Sequence, residues 1–421
     1  MARGLDSGTA ARQDPFLARD THFIRDQVAA FLGVLPDEID SEYAYVSRGS
    51  LLVPSLADFP IARLNHLFSG RSPSTVAGHL RRLGLAPERY ANVARSAGFD
   101  GLDAPVRNGD PRMIALLGKL HRELLLLSAE RRPLARRYVE QLIGDAKRVM
   151  LVDIGWVGNT QASLVRLLGP RHADVTFTGQ YVGVFAGARE NAYPGHPMLG
   201  WLTRGDDDPR IERLFWWSGA IEVLEFAMTA PHGTTLGYRE EPGGRVVPVL
   251  ESDRVEGTIG ELASRLQKGA ADFIDAFIAT FSSVPPEALS SRAWAADFFR
   301  LITDPRPDEA ALLGDLTHGD VAGDSSIRLP LAPLKTERDE AVSATRTCFW
   351  KVGYAVRNGL TEDEAFSPAV YLALHPDIEQ ALDEGSLESA VQHWTQYGRR
   401  EGRTASWAGW MRQLRALTAQ R

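Results

Sequence analysis

The sequence predicts an α/β protein built on an open, mostly parallel sheet, with helical insertions and a helical C-terminal region. Three observations predict it. Residues 149–153 (VMLVD) form an apolar run that reads as a buried strand, and a glycine-bearing turn then leads into a helix. Strand-like runs at 16–18, 43–47 and 175–185 alternate with stretches of helical period, the pattern of βα units feeding a parallel sheet. From Glu362 onward the periodicity is helical only.

The elements follow in order. Residues 1–15 are polar, lack the apolar core of a signal peptide and are expected to be disordered. Residues 16–18 read as the end of a short strand, and Arg19, Asp20 and Thr21 turn into a helix with apolar positions Phe23, Ile24, Val28, Phe31 and Leu32. Residues 43–47 (YAYVS) read as a second strand. Residues 58–128 read as mostly helical, broken near Pro73 and Pro111, and 131–143 as a further helix. After the 149–153 strand, 155–158 is a turn, 159–168 a helix and 175–185 a strand. Helices are expected at 259–279 and 293–302, a polar linker at 319–337 and a compact helical unit at 362–403. The expected domains are an α/β domain at 16–245 with a helical insertion at about 58–145, a helical extension at 246–320, and a C-terminal module and tail at 338–421.

Composition narrows the classes. A chain of 421 residues is long enough for two or three domains, and 44% hydrophobic with 24% charged residues is globular. A net charge of −7 argues against a protein that coats nucleic acid, so no nucleic-acid partner is expected. Cys348 is the single cysteine, which excludes an intrachain disulfide and a thiolate metal cluster. No window holds about 18 uninterrupted apolar residues, so a cytoplasmic location is expected. The basic run from Arg122 to Arg148 reads either as a solvated helix face or as an anion site.

Four segments carry residue types suited to chemistry. In 148–168, Asp153 stands at the carboxyl end of a strand, where open α/β sheets bind ligands. Gly155 and Gly158 permit close approach, and the helix starting near Asn159 and Thr160 offers N–H groups to an anion. The turn is neither a P-loop nor a dinucleotide fingerprint, because the Gly-Lys-Ser/Thr ending and the three-glycine spacing are absent. In the second segment Arg19 can clamp a diphosphate, and Asp20 can act as a base or hold magnesium. In the third, Ser47 and Arg48 make a second oxyanion pocket or a capped turn. In the fourth, Glu222 and Glu225 share a helix face, and His232 sits in the following turn as a general base or as plain turn chemistry.

These motifs resemble known families. Residues 149–160 are similar to the donor-binding loop of type I phosphoribosyltransferases, in which four apolar residues precede two acids and a Thr-Gly-x-Thr phosphate loop. Val149 to Val152 supply the strand, Asp153 the first acid, and Gly158, Asn159 and Thr160 the loop's end. Ile154 stands where the second acid is expected, and the loop is one residue shorter. The ordered set LARD, YVSRGSLLVPSL, ERRPLARRYVEQLIGDAKRVMLVDIGWVGNTQ and APHGTTLGY, over about residues 16–320, resembles a domain of bacterial polysaccharide clusters often fused to HAD-type phosphatases. In it DIGW-x-G-x-x-Q recurs, here Asp153 to Gln161 with Gly155 and Trp156.

The resemblance implies transfer of a phosphoribosyl group from phosphoribosyl pyrophosphate to a glycan acceptor, lipid-linked as in capsule or O-antigen assembly. It implies magnesium held by Asp153 and Asp20, Gly158, Asn159 and Thr160 on the 5-phosphate, and Arg19, Ser47 and Arg48 on the pyrophosphate. Either Asp20 or His232 would be the base. A separate HAD-type phosphatase would remove the 5-phosphate, since the Asp-x-Asp motif of such an enzyme is missing at Asp153, Ile154 and Gly155. The rival expectations are a HAD-like phosphohydrolase and a non-catalytic scaffold of the assembly machinery. Residues 371–403 resemble a helical module attached to bacterial glycosyltransferases, which implies packing or docking. The tail places Trp407, Trp410, Met411, Leu414 and Leu417 near one helical face, suited to packing or to peripheral contact with the inner membrane face.

Overall fold

The computed structural model describes residues 12–13, 16–17, 21–32, 41–58, 74–106, 110–205, 212, 215–216, 218–251, 258–281, 283–284, 295–318, 329–345 and 348–418. Two compact units interleave along the chain. The first holds Met1–Asp206, Ala227–Ser290 and Gly319–Arg328, and the second Asp207–Phe226, Ser291–His318 and Leu329–Arg421.

In the first unit β1 (Arg12–Gln13) and β2 (Phe16–Leu17) precede α1 (His22–Leu32), β3 (Tyr43–Ala44) and α2 (Arg48–Leu52). The insertion follows as β4 (Ser74–Thr75), α3 (Val76–Arg82), α4 (Ala91–Ser96), β5 (Pro105–Val106), α5 (Pro111–Lys119) and α6 (His121–Ile143). Then come β6 (Arg148–Trp156), α7 (Asn159–Leu168), β7 (Thr176–Val184) and β8 (Met198–Arg204). All but the last residue of α8 (Ala220–Ala227) belongs to the second unit; β9 (Thr235–Glu240), β10 (Val246–Leu250) and α9 (Thr258–Phe281) return to the first.

The sheet is parallel throughout, in the order β3-β2-β6-β7-β8, with β1 also on β6. β6, β7 and β8 are its long strands, and β1–β3 extend it by two-residue ladders. Arg12 and Gln13 lie inside the stretch expected to be disordered, yet they pair with Arg148 and Val149; the rest of 1–15 lies outside the described residues. Counting β1 and β2 as one interrupted strand, the chain visits the sheet in the order 2-1-3-4-5. That doubly wound order reverses direction between β2 and β6, where such sheets open a ligand crevice.

Alternation along β6 sends Val149 and Leu151 into a core with Val139 and Ile143 of α6, Leu164 and Leu167 of α7, and Phe177 of β7. Removal of each such side chain from water stabilises the fold by about 1.5–3 kcal/mol. β6 runs three residues past the predicted 149–153 strand because Gly155 and Trp156 still pair with Gly183 and Val184. Strand length here follows the neighbour rather than the apolar run. The insertion has its own core, in which Val76, Leu80, Leu83, Met113, Leu116 and Leu117 are fully buried. The sequence reading contains no counterpart of β8, whose residues Leu199 and Trp201 are exposed at the sheet's rim, nor of the antiparallel β9–β10 hairpin.

The second unit adds α10 (Ala296–Thr303), α11 (Pro307–Gly314), β11 (Thr317–His318) paired antiparallel with β12 (Leu329–Pro330), α12 (Arg338–Ala344), α13 (Lys351–Arg357), α14 (Pro368–Leu374), α15 (Pro376–Asp383), α16 (Ala390–His393) and α17 (Trp407–Thr418). Fully buried Trp350 donates its indole N–H to the Ile302 carbonyl at 2.9 Å, so part of the expected 246–320 extension folds with the C-terminal module. The described end of the expected linker is packed as well: Leu331 and Ala332 are 0% exposed, while 319–328 lie outside the described residues. Among the described residues no helix is long and apolar enough to cross a membrane.

Candidate functional site

Parallel strands deliver their following segments to one edge. Phe16 of β2 pairs with Tyr43 of β3 on one side and Val152 of β6 on the other; β2 and β3 end one residue later, at Leu17 and Ala44, whereas β6 runs on to Trp156, so Asp153 lies within the strand and not at its expected carboxyl end. Past these strands the described segments are 45–47 and 157–158. Arg19 and Asp20 lie outside the described residues.

At the end of β6 the backbone is unusual. Gly155 has φ +114°, Trp156 φ +102° and Gly158 φ +68°, and Trp156 is the one non-glycine with positive φ among the described residues. For a bulky side chain that conformation is strained by about 1–3 kcal/mol and needs surrounding structure to impose it. The surroundings are visible. The Trp156 carbonyl accepts from Phe185 N at 2.7 Å, and its ring stacks on Phe185 at 5.0 Å between centroids. A Cβ on Gly155 would meet the Gly183 carbonyl oxygen at 2.2 Å, so glycine there permits the approach of β7 rather than of a ligand. A Cβ on Gly158 would meet Met198 Sδ at 2.1 Å. Ile154, where the phosphoribosyltransferase pattern has its second acid, is 2% exposed in an apolar setting.

Asp153 sits opposite Tyr181 of β7, and its Oδ1 accepts from Ile154 N at 2.8 Å. Burial, and after it the Asp153 charge, pushes the Tyr181 hydroxyl well above its ordinary pKa. Gly158 is the left-handed N-cap of α7. Asn191 clamps the turn, its Nδ2 donating to the Val157 carbonyl and to Asn159 Oδ1, both at 2.8 Å. Thr160 is half-buried in the first turn of α7. Gln161 faces inward and is 1% exposed: its Nε2 donates to the His196 carbonyl at 3.0 Å, and its Oε1 accepts from the Tyr181 hydroxyl at 2.8 Å. Its amide ties α7 to the sheet.

Ser47 caps α2. Its Oγ accepts from Ser50 N at 3.0 Å, and Ser50 Oγ accepts in return from Ser47 N at 2.9 Å, completing a capping box; the Ser47 hydroxyl also donates to the Thr235 carbonyl at 2.6 Å. Arg48, the first residue of α2, is exposed. The expected pocket of hydroxyls and guanidinium is therefore a helix start with one exposed cation.

His232 is joined to β3 across 189 positions of sequence: the Tyr43 hydroxyl lies 2.7 Å from its Nε2. Its Nδ1 lies 2.9 Å from the Gly233 carbonyl, which can only accept, so Nδ1 carries the proton and Nε2 accepts from Tyr43. His22, Tyr43, Tyr45 and His232 form one ring cluster with centroid spacings of 4.9–5.6 Å. Tyr43, Asn191 and Tyr181 were invisible to sequence reading, since each partner lies in another element and no spacing signals it. Glu222 and Glu225 belong to the second unit, where Glu222 is 2% exposed and Glu225 lies 3.5 Å from His318 Nε2.

Among the described residues no group of three or more His, Cys, Asp or Glu could hold a metal ion. Of the two carboxylates expected to hold magnesium, Asp153 is described and Asp20 is not. That donor set suits a magnesium ion that arrives with a diphosphate and keeps mostly water and phosphate oxygens as ligands; it does not suit a protein-built cage.

In the C-terminal module the recognisable residues pack on one another. The Tyr371 hydroxyl lies 2.8 Å from His393 Nδ1, Trp394 Nε1 donates to Asp363, and Gly398 leaves room for the Tyr371 oxygen. Trp410 and Met411 of α17 are buried in the second unit, whereas the side chains of Leu414 and Leu417 lie outside the described residues. No protein-family model matches the chain, and a search of curated proteins finds no match to it.

Proposed function

We propose that the chain transfers a phosphoribosyl group from phosphoribosyl pyrophosphate to a glycan acceptor, lipid-linked, in the building of a bacterial surface polysaccharide. The observation that carries the reading is the sheet order. Its reversal point falls between β2, which precedes Arg19 and Asp20 in the sequence, and β6, which carries Asp153 and leads into the α7 N-terminus. The phosphoribosyltransferase pattern needs a diphosphate-gripping loop beside a ribose-phosphate loop, and adjacent strands supply that pairing.

In this reading the Asp153 carboxylate holds ribose hydroxyls or the metal. The first N–H groups of α7, with the Thr160 hydroxyl, hold the 5-phosphate. Asn159 contributes its backbone alone, since its side chain is held by Asn191. Arg19 and exposed Arg48 neutralise the leaving pyrophosphate. The bond from the anomeric carbon to pyrophosphate breaks and a bond to an acceptor oxygen forms, so positioning and charge stabilisation do most of the work. Magnesium, when bound with the donor, supplies charge neutralisation on the diphosphate. Asp20 is the candidate base for the acceptor proton, since the His232 lone pair is taken by the Tyr43 hydroxyl. The product keeps its 5-phosphate, which a separate HAD-type phosphatase removes.

A phosphohydrolase of that type is disfavoured at the same place. The second carboxylate of an Asp-x-Asp motif would stand at 155, where a Cβ meets backbone at 2.2 Å. The test is incubation with phosphoribosyl pyrophosphate, magnesium and a panel of synthetic glycan acceptors, read by mass spectrometry. A product heavier by one phosphoribosyl unit supports transfer. Release of inorganic phosphate alone overturns it in favour of hydrolysis, and unaltered polysaccharide in cells carrying Asp153→Asn supports a scaffold instead.

A further inference from the structure

The corner between α5 and α6 has a composition that the proposed chemistry does not use. Gly118, Lys119, His121, Arg122, Leu125 and Leu126 line one shallow concavity of about 440 Å³ in the first unit. Three of the six can carry positive charge and none is acidic. Lys119, His121 and Arg122 are exposed and have no ion-pair partner among the described residues. Beside the cations stand large apolar side chains: Leu126 is 61% exposed and Ile114 41%. The wider insertion is basic, with nine Lys and Arg against six Asp and Glu over residues 76–131, in a chain of net charge −7.

We infer that this corner rests on an anionic phospholipid surface. Charge complementarity selects the headgroup phosphates, and the exposed Leu126 and Ile114 select a surface with an apolar layer beneath its charge. Helical spacing puts the two kinds of group together. On α6, Arg122 and Leu126 are i, i+4 neighbours, and on α5, Ile114 and Gly118 stand one turn apart just before Lys119. A nucleic acid fits less well, because it would leave Leu126 and Ile114 in water. The inference stands apart from the phosphoribosyl-transfer reading and survives its failure.

The test is co-sedimentation of the full chain with phosphatidylcholine vesicles, with and without phosphatidylglycerol. Binding is expected only with phosphatidylglycerol, weakening as salt rises. The pair Lys119→Glu and Arg122→Glu is expected to lower vesicle affinity by at least about 25-fold, since each basic residue near such a surface is worth about fivefold. Leu126→Asp should weaken binding even at low salt. Each variant is first checked for an unchanged melting temperature. Failure to bind phosphatidylglycerol vesicles, or binding that survives the charge reversals, overturns the assignment. So does equal binding to duplex DNA, or competition by millimolar inorganic phosphate that strips the protein from vesicles.

Discussion

The end of β6 and the C-terminal module are the two segments densest in glycine, aromatic and polar motif residues, and they use them differently. In the module several polar tips meet neighbouring side chains or backbone groups: Tyr371 with His393, His375 with the Thr404 carbonyl, Trp394 with Asp363. The motif closes on itself, and packing accounts for it. At the end of β6, Gly155, Trp156 and Gln161 are committed to neighbouring strands, and Asp153 lies on the strand beside the reversal point of the sheet, shortly before the strained Trp156. Density of motif residues alone therefore does not mark a site.

The largest effect that sharpens this contrast is expected from Gly155→Ala. The new Cβ would meet backbone at 2.2 Å in a positive-φ position, so a stability loss of about 3 kcal/mol or more is expected in chemical denaturation. Wild-type stability would show that β7 does not need that approach. Asp153→Asn is the complementary change. Asparagine keeps the acceptor for Ile154 N, so the melting temperature should hold while phosphoribosyl transfer falls about a hundredfold or more. Parallel losses of stability and transfer would move Asp153 to the packing side of the comparison.

Acid should separate the two units. Burial, then the nearby Arg82 charge, lowers the pKa of His79 from 6.5 to about 4. The unfolded chain takes up this proton first, so stability is complete above about pH 6.5 and is lost as pH falls towards 4, by up to about 3 kcal/mol. In the second unit hydrogen bonding to Arg300 lowers Glu309 from 4.5 to about 2, and its contribution is lost only as pH falls through that lower window. Circular dichroism and tryptophan fluorescence during acid titration should thus find the insertion loosening first, and a His79→Gln variant should remove that early step. The smallest effect is expected from Tyr371→Phe, which removes one hydrogen bond worth about 1 kcal/mol and should leave transfer unchanged. A drop in transfer would give the module a part in catalysis.

Read alone, the residues were enough for the α/β class, the strand into Asp153, the α7 start at Asn159 and the helical C-terminal region, because hydrophobic period and glycine punctuation are local signals. They did not carry β8 or the β9–β10 hairpin, whose half-exposed strands lack a clean alternation. Nor did they separate groups that face a crevice from groups that hold the fold. Ser47 was legible equally as a cap and as a ligand donor; its hydroxyl caps α2 through Ser50 N, and its proton goes to the Thr235 carbonyl, 188 residues away, which no local pattern signals. Gln161 and Tyr181, or Tyr43 and His232, meet because the sheet brings distant segments side by side. Spacing along a chain encodes which element a residue occupies; which neighbour takes its last hydrogen bond is set by strand order and register, and these exist only once the chain has folded.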